Sequence, residues 1–305
     1  MRTRFIETLC RLAHEDDRIW LICGDLGYSV LEVFRDQFPA RYINAGVAEQ
    51  NMTTMAAGLA HSGKIVYTYS IANFPVMRCL EQIRNDVCYH NLPVKVVAVG
   101  GGLAYGTQGY THHGVEDLAV TRVLPNMTVF APGDPWEAEC VTEAAARLAG
   151  PCYIRLGKAG EPAVHQDRPD FHVGEPLTIR TGTDVVILST GGMLVTALSA
   201  GDLLQAGGIS AAVVSIPTVQ PFSDKSLQIA GADARYIATV EEHAEGGLAT
   251  VVAERIAFGG LKSRLLPFRL RREPVSVAGS QEELRAMQGL SPETIASRIT
   301  RWLQT

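Results

Sequence analysis

At 305 residues and 32.9 kDa, with 47% hydrophobic and 19% charged residues, the chain can build two packed domains and is not composed like a disordered one. A formal charge of −5 and a pI near 5.9 exclude any general attraction for nucleic acid or anionic membranes. No run approaches the roughly 18 consecutive apolar residues of a membrane span, and "MRTRFIETLCRLAHEDDRIW" meets charge too early for a secretory leader, so a cytoplasmic location is expected.

In chain order, "RIWLIC", "KIVYTY", "VKVVAV", "MTVFA" and "CYIRL" read as buried strands separated by stretches long enough for crossover helices, the pattern of a parallel α/β sheet. Arg41 to Ser62 begins as a short strand, turns at Asn44-Ala45-Gly46 and enters a helix with Met52, Met55, Ala56 and Leu59 on its apolar face. After "MTVFAP", Asp134 is placed to cap a helix with Pro135 at its first position, running to Gly150. Between Gly157 and Thr178 periodicity gives way to proline, glycine and charge. The predicted division is therefore a first domain over residues 1–160, a linker over 161–178 and a second α/β domain over 179–305. In the second domain "DVVILST", "ISAAVVSI" and "ARYIATV" read as strands. Helices are expected at "GGMLVTALSAGDLLQAG" and "GGLATVVAERIAF", and two more at the end, the last capped by Ser291 and opened by Pro292. The expected fold class is α/β, two consecutive domains each with a mainly parallel sheet.

Six cysteines contain no C-x-x-C pair and are expected to be buried reduced thiols. His112-His113-x-x-Glu116 is a poor metal motif, because adjacent histidines rarely aim both rings at one ion. Gly100-Gly101-Gly102 lacks the phase of a dinucleotide loop. Glu49 falls in the first turn of its helix, where the dipole favours a carboxylate, and by local pattern alone it reads as a solvated N-terminal glutamate. Asp25 ends a predicted parallel strand, a usual place for α/β sites, or simply forms a turn.

The string "NAGVAEQNM" and five further ordered blocks alter that reading: "CGDLGYS", "YSIANFPVMRCLEQIRNDV", "GTQGYTHHGVEDLAVTRVLPNMTVFAPGDPWEA", "VEEHAEGGLATVVAE" and "GLSPETIA". Together they resemble the transketolase family, namely the thiamine diphosphate pyrimidine-binding domain plus the C-terminal domain, over roughly residues 5–303. The likeness extends to deoxyxylulose phosphate synthase. It implies that Glu49 meets N1′ of the thiamine aminopyrimidine and favours the imino tautomer, whose 4′-nitrogen takes the proton from the thiazolium. It implies further that Asp25 lies near the cofactor and that Phe74, or failing that Tyr69, stacks on the pyrimidine. Ser29 and Arg155 are implied to meet substrate phosphate, and His112 to face the donor sugar. Arg78 is a weaker substrate candidate, or a surface cation. Gln108 stands where many relatives carry an aspartate, leaving sugar preference open.

The family's Gly-Asp-Gly motif, which holds Mg²⁺ and through it the cofactor diphosphate, does not occur in this sequence. The resemblance thus implies the C-terminal subunit of a split transketolase. It would be active only with an N-terminal partner subunit that carries that motif and the Mg²⁺, as an α₂β₂ assembly moving a two-carbon ketol unit between sugar phosphates. The alternatives are the β subunit of a 2-oxoacid dehydrogenase and a non-catalytic regulatory subunit.

Overall fold

The computed structural model describes residues 1–228 and 235–305, with the side chain of residue 228 also left aside. Twelve strands occur among the described residues: β1 Ile19–Cys23, β2 Tyr42–Asn44, β3 Ile65–Ile71, β4 Val94–Val99, β5 Thr128–Phe130, β6 Cys152–Leu156, β7 Leu177–Arg180, β8 Val185–Ser189, β9 Ala211–Ser215, β10 Thr218–Gln220, β11 Tyr236–Val240 and β12 Arg264–Phe268. Ala234, where the expected strand "ARYIATV" begins, lies outside the described residues.

The first sheet has the order β10-β5-β6-β4-β3-β1-β2, and every pairing except β10 with β5 is parallel. β4 is buried at every position, as a strand covered on both faces must be. On one face the helix Glu49–His61 lays Met52, Ala56, Ala57 and Ala60 against Ile22, Val66, Val94 and Val96. On the other, Phe5, Leu9 and Ala13 of the helix Arg2–Glu15 pack with Leu21, Tyr67, Val97 and Val141. The chain leaves β1 for β2 on one side and returns to β3 on the other. The order therefore reverses between β1 and β3, and a crevice opens at their carboxyl ends.

The second sheet, β12-β11-β8-β9-β7, is parallel apart from its edge strand β7. β7 begins two residues inside the expected linker, because Leu177 is buried at the sheet edge and pairs with Ser215. The domains also interlock more than the sequence suggests: β10, from the second domain, completes the first sheet, and one buried cluster runs from Met52 and Val96 through Ala131 into Leu188, Val214 and Ile216. The helix starts follow the expected chemistry. Asp134 accepts from the backbone of Glu137 at 2.8 Å with Pro135 behind it, and Ser291 accepts from Thr294 at 3.3 Å. All six cysteines are buried and unpaired.

Candidate active site

Glu49 opens the helix that leads from β2 to β3, and it is 1% exposed rather than solvated. Its Oε1 accepts from the Ser70 hydroxyl at 3.2 Å, and its Oε2 accepts from Nη1 of Arg78 at 2.9 Å. Ser70 reaches it because side chains alternate along β3, so Ser70 faces the crevice while Tyr69 faces the opposite side of the sheet. Beside the carboxylate runs Gly24, just beyond β1. A Cβ there would sit 3.5 Å from Glu49 and from Ser70, filling the space next to the acid.

The Arg78 guanidinium lies over the Phe74 ring, 4.5 Å from its centroid, while the edge of that ring meets His112 at 5.1 Å and 68°. His112 closes a short 3₁₀ turn whose neighbour Thr111 is tied to Asn73: the Asn73 amide donates to the Thr111 carbonyl at 2.8 Å. The loops after β3 and β4 thereby bring Phe74 and His112 together above Glu49's helix. Adjacent His113 points away, is 2% exposed, and is pushed below the usual histidine range by burial; the two rings do not share an ion site.

Asp25 and Asn44, at the ends of β1 and β2, bond reciprocally: the Asn44 amide donates to Asp25 Oδ1 at 2.9 Å and Asp25 N–H donates back at 3.1 Å. Asp25 and Ser29 both adopt left-handed backbone, with φ of 56° and 62°, which costs a non-glycine residue about 1 kcal/mol or more and holds the loop in an unusual shape at the crevice rim. Ser29 is exposed there, its N–H held by Glu32 at 2.9 Å. Gln108 is exposed in the turn Gly106–Gln108, where its side-chain oxygen accepts from Thr107.

Two expectations are corrected. Tyr69 is a core residue, 1% exposed and stacked on Phe5 at 6.0 Å, so strand alternation removes it from any stack on a ligand in the crevice. Arg155 points from β6 into the domain junction, 6% exposed. Its Nε lies 2.9 Å from Asp117 Oδ2, and its Nη2 donates to the carbonyls of Gly114 and Glu242 at 2.7 and 2.9 Å. A guanidinium so committed is not free to grip a phosphate. An exposed cation that the sequence reading did not single out is Lys158, three residues further along beyond β6, with Nζ 4.9 Å from the Tyr105 ring, which lies 6.3 Å from His112. Ser70 was also missed, although its alternation with Tyr69 was visible.

Among the described residues, Asp134, Glu137 and His165 form the one cluster whose ligand atoms converge as for a metal. Asp134 and Glu137 accept from the N–H groups of Glu137, Val164, His165 and Gly133, and Glu137 also bonds the His165 ring at 2.9 Å, an arrangement that caps a helix and pins the following segment. A cavity of about 520 Å³ lies between the domains, lined in part by Gly101, Glu161, Gly191, Glu242 and Arg285, but Glu49, Phe74 and His112 do not border it. The chemistry-bearing residues gather instead at the β1–β3 crevice.

A parallel sheet with a buried acid at its switch point, and an aromatic ring and a histidine beside it, defines an α/β domain with a candidate site at the carboxyl ends of its strands, followed by a second α/β domain. Residues 1–160 match the transketolase pyrimidine-binding domain and residues 174–295 the transketolase C-terminal domain, and the chain belongs to the transketolase family. It is 35% identical to one subunit of the apulose-4-phosphate transketolase of Phocaeicola vulgatus, over 99% of this chain and 97% of that protein. A 6-deoxy-6-sulfo-D-fructose transketolase subunit of Clostridium sp. strain MSTE9 is 35% identical over 83% of this chain and 80% of its own. Among solved structures, a split gene transketolase described as an inactive β₄ tetramer superposes with a TM-score of 0.89 at 34% identity, covering 99% of this chain and 97% of that one. No helix among the described residues is long and apolar enough to cross a membrane.

Proposed function

We propose that this chain is the C-terminal subunit of a two-component, thiamine diphosphate-dependent transketolase, and that it moves a two-carbon ketol unit between sugars bearing a terminal oxyanion. The observation that carries this reading is the buried Glu49 carboxyl at the β1–β3 switch point, with Phe74 and His112 beside it. These residues fit the pyrimidine half of the cofactor. Gly24 leaves room next to Glu49, the carboxyl suits a hydrogen bond shared with a ring nitrogen, Phe74 offers a flat apolar face, and Asp25, tied to Asn44, shapes the rim. When bound, the cofactor supplies a stabilised carbanion that accepts and donates the two-carbon unit.

The residues of this chain would then act around it. Glu49 holds the proton at the pyrimidine edge, and Ser70 fixes the carboxyl's orientation. His112 donates to, or moves a proton at, the sugar oxygens, and Gln108 offers both donor and acceptor to a hydroxyl. Lys158 and Ser29, both exposed near the rim, are the groups proposed to meet the terminal oxyanion, in place of Arg155. The Mg²⁺ and the diphosphate are assigned to an N-terminal partner subunit with a Gly-Asp-Gly motif, in an α₂β₂ assembly. Relatives along nearly the full length of this chain that are named as transketolase subunits support this division over a 2-oxoacid dehydrogenase β subunit. Reconstitution tests it: chain, partner, Mg²⁺, thiamine diphosphate, a ketose phosphate and an aldose acceptor should give ketol transfer. Decarboxylation of a 2-oxoacid by the same mixture, without ketol transfer, would refute it.

A further inference from the structure

Arg78 makes two contacts at once. Its Nη1 donates to the buried Glu49 carboxylate at 2.9 Å, and its planar guanidinium lies over Phe74, 4.5 Å from the ring centroid. Those are the two surfaces assigned above to the cofactor's pyrimidine, an acid for its edge and an aromatic face for its plane. A guanidinium resembles an aminopyrimidine in the relevant respects, being flat, delocalised, able to stack, and carrying N–H donors in its plane.

We propose that Arg78 is a resident stand-in for the pyrimidine, occupying the Glu49 and Phe74 contacts until the cofactor displaces it. The inference rests on the proposed cofactor. One carboxylate oxygen of Glu49 is already taken by Ser70, so Oε2 serves either Arg78 or a ring nitrogen. The face of Phe74 turned to Arg78 is likewise available to one flat group at a time. Displacement is sterically open, because the Arg78 side chain is 45% exposed at the end of the short helix Phe74–Met77 and can swing outward on its flexible stem. The stand-in also meets a cost that the chain carries before the cofactor binds. Without a partner, a carboxylate this deeply buried is costly, and Arg78 neutralises it until the ligand does.

Competition of this kind has a signed consequence. In the assembly with the partner subunit, Arg78→Gln and Arg78→Met should bind thiamine diphosphate about three- to ten-fold more tightly by calorimetric titration, since the half-buried ion pair with Glu49 and the cation–π contact with Phe74 no longer have to be broken. The same variants should lower the melting temperature of the unloaded protein by roughly 2 °C and leave that of the loaded assembly unshifted. A merely structural arginine would weaken both forms and would not tighten binding. Equal or weaker affinity in both variants, with wild type binding normally, overturns this inference alone; a wild-type assembly that binds no cofactor overturns the proposed function as well.

Discussion

Asp117 and Arg155 are joined at 2.9 Å inside the domain junction, both nearly without solvent, and the same guanidinium reaches the Glu242 carbonyl in the second domain. Tyr153 donates to the same Asp117 oxygen at 2.5 Å, and the His243 ring approaches its other oxygen at 3.7 Å. One cation thus ties the loop before the helix Asp117–Arg122 to the start of the segment after β11. Removing it strands a buried carboxylate. Arg155→Ala should cost about 3–5 kcal/mol, read as a lower urea midpoint.

Lys158→Ala should behave in the opposite way. Lys158 is exposed with its Nζ over the Tyr105 ring, so the urea midpoint should hold within experimental error. The KM of the assembled enzyme for a phosphorylated ketose should rise roughly ten-fold, the worth of one charge-assisted contact. A KM unchanged by Lys158→Ala would return the oxyanion role to another residue.

Glu49→Gln keeps the shape and the Ser70 bond but cannot hold the proton at the pyrimidine edge. Turnover of the assembly should fall by about 10²–10⁴-fold, with the far-ultraviolet circular dichroism of the chain unchanged. Substantial residual turnover would remove Glu49 from the chemistry.

Burial lowers the His243 pKa to about 4, an effect only partly opposed by the Asp117 carboxylate. The unfolded chain then binds a proton that the folded one refuses, so stability present above about pH 6.5 is lost as the pH falls toward 4. Glu241, raised to about 7 by burial, works in the other direction, losing stability as the pH climbs from about 4.5 toward 7. Comparing His243→Gln with wild type isolates the first effect: the variant's melting temperature should gain on wild type between pH 7 and pH 5. A constant difference across that range would contradict it.

Much of the architecture was readable in the sequence because buried parallel strands are continuous apolar runs, and "VKVVAV" became a strand buried at every position. Caps with a definite chemistry, Asp134-Pro135 and Ser291-Pro292, were equally legible. What escaped were the short edge strands β7, β10 and β12, whose three to five residues carry too little periodicity to register. At the site, Glu49, Phe74 and His112 converge although they lie on three separate loops and helices. Tyr69 and Arg155 were misassigned because a residue's name and place in a motif do not say which face of the strand it occupies. Strand alternation sends Tyr69 to the Phe5 side, and β6 carries Arg155 into the domain junction. The pairing of Arg78 with Glu49 depends on a separation of 29 residues that no local pattern encodes.

The distance between the Glu49 carboxyl and the pyrimidine N1′, in a structure of the assembly with its partner and thiamine diphosphate, bears most directly on all of this. It should fall within about 2.6–3.0 Å, with Arg78 turned outward. A pyrimidine bound elsewhere, with Glu49 still joined to Arg78, would contradict it.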